Sequence, residues 1–300
     1  MGLSGVYGAA VDAESIRTIH RAIDLGISFF DTAAGYGAGH NESLLGRAIR
    51  GRRDGLILAS KFTHDRGADV PPLRARDAVD ASLTRLGVDH IDLYYLHRRD
   101  PGIPIEESVG QLGRLVDDGK IGGVGLSEVS AACLRRAHAT YPITALQSEY
   151  SLWSREVEDD ILPTAARLGI GFVAYSPLGR GFLAGAMPVE AADRRNFHPR
   201  FQTSAVEANA RPRQVIERIA ARLAATPAQI SLAWTLARAV VPIPGTRSIT
   251  HLESNWAANM VSLDATDIDA LEAAFPRGQT VGDRCPREQM ILLPEGQTDA

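Results

Sequence analysis

A chain of 300 residues, 45% apolar and 23% charged, with a net charge of −4, has the composition of an ordinary soluble globule large enough for one extensive core. Its basic side chains are dispersed over a net-acidic chain, which argues against a nucleic-acid or anionic-membrane partner, and no apolar run approaches the ~20 residues of a membrane span. Cys133 and Cys285 show neither metal-ligand spacing nor a disulfide framework, and residues 1–5 lack the features of a secretory signal, so no metal and a reducing, cytoplasmic setting are expected.

In chain order, a helix is expected at 13–25. Short apolar runs that read as buried strands then alternate with amphipathic stretches that read as helices. Strand 27–30 is followed by helix 43–50, strand 56–59 by helix 74–86, and strand 91–96 by helix 105–118. Strand 121–126 is followed by helix 131–140, and strand 143–147 by helix 157–168. Strand 171–175 precedes a long aperiodic loop at 179–211, with Pro212 just beyond it. Helices at 213–225 and 227–238, strand 240–244, and helices at 250–259 and 266–274 complete the pattern, with an irregular tail from about 275 to 300. This alternation is that of βα units around a parallel sheet, as one domain over 1–300. A parallel barrel closes with eight strands, but only residues 1–5 precede the first helix. Strand one is therefore short or missing, and the chain is expected to start downstream of its natural beginning or to carry a stub there. The loop at 179–211 exceeds the usual length of a connection and reads as a flap over a ligand.

Four residues stand at or beside the carboxyl ends of the first three runs: Asp31, Tyr36, Lys61 and His97. In a parallel barrel these ends converge on one face, where the chemistry happens. Lys61 is conspicuous because only it and Lys120 are lysines among 32 basic residues. A free tyrosine has a pKa of about 10, and a nearby ammonium favours its phenolate. A tyrosine, a lysine, a carboxylate and an imidazole together can deliver a proton to a carbonyl oxygen that is gaining charge. Reducing a carbonyl also needs a hydride, which no side chain supplies, so a dinucleotide cofactor is implied. No Gly-x-Gly-x-x-Gly follows an early strand, so its phosphates are not expected on a Rossmann turn. Barrels commonly bind phosphate after the last two strands. Here 176–181 (SPLGRG) and 245–247 (GTR) occupy those places, the latter just before a helix whose start favours anions.

Seven segments in order then carry a family resemblance: 31–37 (DTAAGYG), 60–61 (SK), 96–98 (LHR), 125–128 (GLSE), 147–153 (QSEYSLW), 175–181 (YSPLGRG) and 242–247 (PIPGTR). Together they resemble the aldo-keto reductases, over essentially the whole chain, and most of all the bacterial and plant branch that reduces varied aldehydes and ketones. The resemblance implies a parallel (β/α)8 TIM barrel, NADPH as cofactor, and reversible reduction of a small-molecule carbonyl substrate. It implies Tyr36 as general acid, Lys61 as the group that lowers its pKa, Asp31 as the partner of Lys61, and His97 as the group that orients the carbonyl. For the cofactor it implies Ser127 and Gln147 at the carboxamide and Tyr175 stacked on the nicotinamide. Ser176, Pro177, Leu178, Gly179, Gly181, Gly245 and Thr246 are implied around the phosphates, Arg247 at the 2′-phosphate, and His251 and Asn255 near the adenine. Tyr7, Phe62 and Trp153 are candidates for lining the substrate pocket. Two positions depart from the family pattern: Glu128 stands where asparagine is common, and Ser254-Asn255 replaces a Glu-Asn pair, which weakens the expected grip on the adenine. The competing expectations are a non-catalytic NADPH-binding regulatory subunit and an inactive truncated form. Monomer and homo-oligomer both remain open, as does the physiological substrate.

Overall fold

The computed structural model describes residues 2–5, 10–64, 73–187, 193–290 and 292–294. The chain divides into two compact units. One comprises Met1–Gln147, Pro163–Gly171 and Ile291–Ala300, and the other Ser148–Leu162 and Phe172–Met290.

The first unit is built on parallel strands β1 (Phe29–Asp31), β2 (Ile57–Phe62), β3 (Leu93–Leu96), β4 (Val124–Ser127) and β5 (Ile143–Glu149, of which residues 143–147 belong to this unit), paired in chain order. Helices His40–Ile49, Ala75–Leu86, Ile105–Asp117 and Ala131–Thr140 connect successive strands. The strands read as continuous apolar runs because both faces are covered. Every residue of β3 and β4 is buried, and in β2 only Ile57 is exposed. The connecting helices bury one stripe each; Ile105, Val109, Leu112 and Leu115 form that of Ile105–Asp117. Close packing of two helices depends on Gly46, where an added Cβ would lie 2.2 Å from the backbone oxygen of Leu86.

No strand precedes β1 among the described residues. Helix Asp12–Asp24 comes before it, and Gly2–Ser4 forms a single 3-10 turn where strand one of eight is expected. That turn is tied to the strand ends by hydrogen bonds. Asn41 Nδ2 donates to Ser4 Oγ at 2.8 Å, and Thr32 Oγ1 donates to Asn41 Oδ1 at 2.8 Å.

In the second unit, β6 (Gly171–Tyr175) pairs in parallel with β7 (Val241–Pro242). Helix Pro227–Leu236 starts on a capping box formed by Thr226 and Gln229, with proline in its first turn. The long loop is shorter than the sequence suggests. It contains 3-10 turns at Gly179–Ala184, Arg194–Phe197 and Pro199–Phe201, and it ends where helix Thr203–Arg222 begins. Pro212 therefore lies inside a helix rather than at a loop end. One lost backbone donor is tolerated there because the helix buries Ala205, Asn209, Ile216 and Ile219 on both sides of the proline. Among the described residues, no helix is long and apolar enough to cross a membrane, and no group of histidine, cysteine and acidic side chains could hold a metal ion.

Candidate active site

The first unit brings Asp31, Tyr36, Lys61 and His97 together. Asp31 ends β1. Lys61 lies inside β2, one residue from its end, in register with Tyr95 of β3. His97 follows β3 directly, its backbone N–H donating to Phe62 O at 2.7 Å. Beyond Asp31 the chain stays beside β2 through Thr32 N–H to Ala59 O at 2.9 Å and Ala34 N–H to Lys61 O at 3.0 Å. A turn closed by Tyr36 N–H to Ala33 O then delivers the tyrosine beside the lysine.

Lys61 is 0% exposed. A buried ammonium needs compensation, and Asp31 Oδ1 supplies it directly, while Thr32 O accepts a second hydrogen bond from Nζ at 2.7 Å. The other Asp31 oxygen accepts from Gln147 Nε2 at 2.8 Å. The ammonium lies 5.4 Å from the ring centre of Tyr36 and 5.6 Å from that of Tyr95. The His97 ring meets Tyr36 edge-on, with centroids 5.7 Å apart. Tyr36 and His97 are half-buried, whereas Lys61 and Tyr95 are sealed in. Tyr36 and His97 are thus the members of the group open to the surroundings, and Lys61 is closed off.

The electrostatics refine one expectation. Burial raises the Tyr36 pKa above its usual 10, and Lys61 opposes that rise without overcoming it. The sequence could not supply this balance, because it depends on desolvation in the fold. Chemically, it keeps the phenol protonated near neutral pH, with the ammonium beside it. Burial, with Lys61 and Arg98 adding to it, holds the His97 pKa well below 6.5, so the ring is neutral near pH 7. The unfolded chain takes up a proton on this histidine below about 6.5 and the folded chain does not, so folding stability falls as pH drops through that value. His97→Gln is expected to flatten this decline. Melting temperatures from pH 7 to pH 5 check it, and parallel curves for the two proteins contradict it.

Arg98 is a site residue that the sequence reading left without a role. Its guanidinium donates to His97 O at 2.6 Å and to Ser127 Oγ at 3.0 Å, joining the ends of β3 and β4. Its position directly after His97 was the available signal. Ser127 and Gln147 are opposite each other in the β4–β5 register, and both are buried. Their remaining hydrogen-bonding capacity suits a carboxamide, since the Ser127 hydroxyl can donate and Gln147 Oε1 can accept. Glu128, the departure beside Ser127, is buried in left-handed backbone at φ 54°, a conformation that asparagine adopts more readily.

In the second unit, Tyr175 ends β6 and Ser176-Pro177-Leu178 lead into a chain of left-handed residues: Ser176 at φ 49°, Gly179 at 55°, Arg180 at 55° and Gly181 at 96°. Turns of this kind present backbone N–H groups to anions. Gly179 is required sterically, since a Cβ there would lie 2.6 Å from Trp153 Cε3. Gly245 is exposed and a Cβ would meet nothing. Thr246 Oγ1 accepts from Ser248 N–H at 3.1 Å, and Ser248 caps helix Ile249–Trp256 by accepting from His251 N–H at 3.3 Å. Arg247 is exposed just ahead of that helix start. His251 and Asn255 are four residues apart on it, and Gln229 Nε2 donates to the intervening Ser254 O at 3.1 Å. The exposed Arg247 guanidinium at a helix start is the feature here that suits a phosphorylated ligand.

The three substrate-pocket candidates fare differently. Phe62 is 2% exposed and stacked on Tyr94 with centroids 5.6 Å apart, and Trp153 is 2% exposed and stacked on Phe182 at 4.0 Å. Both rings are buried in packing contacts in this structure. Tyr7 lies outside the described residues.

Residues 1–275 match the aldo/keto reductase family. A probable aldo-keto reductase from Glycine max is 43% identical over 297 residues, covering 95% of this chain and 86% of its own length. Two solved structures are similar. An aldo/keto reductase from Klebsiella pneumoniae, in complex with NADP and acetate, has a TM-score of 0.74 at 28% identity, covering 92% of this chain and 89% of its own. The glycerol dehydrogenase from Gluconobacter oxydans has a TM-score of 0.81 at 28% identity, covering 95% of this chain and 91% of its own. The chain belongs to the aldo/keto reductase family, an oxidoreductase class built on the (β/α)8 barrel.

Proposed function

We propose that the chain reduces aldehydes or ketones to alcohols with NADPH, using Tyr36 as proton donor. The observation that carries this is the buried Lys61 ammonium, compensated by Asp31 and lying 5.4 Å from the ring centre of a solvent-reachable tyrosine. The cofactor, when bound, supplies the hydride for the carbonyl carbon. The neutral His97 ring donates a hydrogen bond to the carbonyl oxygen and orients it. Tyr36 gives its proton to that oxygen as negative charge develops there. Lys61 stabilises the phenolate left behind, and Asp31 holds Lys61 in place and limits the local charge.

We assign Ser127 and Gln147 to the carboxamide and Tyr175 to the nicotinamide ring. Ser176, Leu178, Gly245 and Thr246 are assigned to the phosphates by way of their backbone and hydroxyl donors, and Pro177, Gly179 and Gly181 to shaping the turn that meets them. Arg247 takes the 2′-phosphate, for which its planar donor fork is suited. His251 and Asn255 take the adenine end. Titration with NADPH and NADH, followed by the fluorescence of Trp153, Trp234 and Trp256, tests the cofactor assignment. Saturable quenching that is tighter with NADPH is expected; no saturation on a cooperatively folded sample contradicts it.

A further inference from the structure

The second unit holds a buried charge cluster that proton transfer does not use. Glu149, at the end of β5, is 1% exposed. Its two oxygens accept a bidentate pair from Arg180, at 3.1 Å from Nη1 and 3.0 Å from Nη2, and Oε1 also accepts from Ser154 Oγ at 3.0 Å. Arg284 Nη1 stands 3.9 Å away. Arg200, itself buried, donates to Ser154 Oγ at 2.6 Å, to Trp153 O at 2.8 Å and to Gly282 O at 3.1 Å. Burial pushes the Glu149 carboxyl up, but Arg180, Arg284 and Arg200 overcome this and hold it down at about 2, so it stays ionised across the working range.

Within the second unit, this carboxylate thus ties residue 149 to the left-handed turn at Arg180. Non-glycine residues keep such a conformation only when their surroundings impose it. Here the fork–fork pair imposes it from one side, and Arg195 Nη1 donating to Arg180 O at 3.2 Å adds to it. The flanking bonds that shape the turn are Gly179 N–H to Ser176 O and Gly181 N–H to Leu178 O. We infer that Glu149 is a positioning residue for the cofactor: acting through Arg180, it locks segment 176–186 in the internally bonded shape against which the cofactor's phosphates bind. The inference rests on the reading of 176–181 as cofactor-binding. It also recasts the expected flap as a latched element, with Glu149 as the catch.

Glu149→Gln keeps the side-chain shape and removes the charge. It is expected to raise both Kd and KM for NADPH by about ten-fold, the scale of one lost charge-assisted pair. The value of kcat at saturating NADPH is expected to change less than about two-fold, a split that general loss of structure does not produce. Amide exchange at Gly179 and Gly181 should quicken. Arg180→Met should give the same shift, and the double variant should be no worse than either single one, because both remove one contact. If Glu149→Gln does not fold, Arg180→Met carries the test. Unchanged or tighter NADPH binding with unchanged exchange in a folded variant overturns the latch. A wild-type chain that binds no NADPH instead overturns the underlying cofactor reading, and the latch with it.

Discussion

Tyr36→Phe is expected to lower carbonyl turnover by about 10²–10⁴-fold, the usual contribution of a positioned general acid. The substitution removes one oxygen and leaves the ring contact with His97 and the face toward Lys61 in place. NADPH affinity should therefore hold while kcat collapses, since the lost interaction is made only as charge develops on the substrate oxygen. Steady-state kinetics beside a fluorescence titration check both halves. Undiminished turnover would mean that another group supplies the proton. An inactive but NADPH-binding wild type would instead favour a regulatory subunit.

Lys61→Met is expected to fail twice, in folding and in chemistry. Lys61 and Asp31 form a sealed pair, and removing one partner of such a pair strands the other charge, typically at about 3–5 kcal/mol. Gln147 remains to donate to Asp31, which offsets part of this loss. The site also loses the group that opposes the burial-driven rise in the Tyr36 pKa, so the phenolate left after proton donation is no longer stabilised. The double variant Asp31→Asn/Lys61→Met separates the two effects. With both charges gone, most of the lost stability should return, because neutral replacements of a buried pair are often tolerated. Turnover should stay as low as in the single variant. Chemical denaturation and kinetics on the three proteins decide it: recovery of activity in the double variant would show that Lys61 is structural only.

The strand ends were legible because buried parallel strands write themselves as unbroken apolar runs. A chain that passes from such a run straight to Asp31, Lys61 or His97 marks the positions where side chains converge. Helix Thr203–Arg222 was harder to see, because Pro212 is a breaker by local rules and only the buried stripe on either side of it overrides them. For Phe62 and Trp153 the sequence leaves two orientations open, toward a pocket or toward the core, and only the structure shows the rings stacked on Tyr94 and Phe182. The Glu149 cluster left no local signature, since its bidentate partner lies 31 residues away. The Tyr36 pKa could not be read at all, because the charge of Lys61 is visible in the sequence and the desolvation that outweighs it is not.

The most direct test of the account is isotope transfer. The folded chain is mixed with NADPH deuterated at the reactive carbon of the nicotinamide and with an aromatic aldehyde, and the alcohol is examined by mass spectrometry. The account predicts one deuterium on the carbinol carbon, with its formation suppressed in Tyr36→Phe. Cofactor binding without any labelled alcohol, across a panel of aldehydes and ketones, would contradict it.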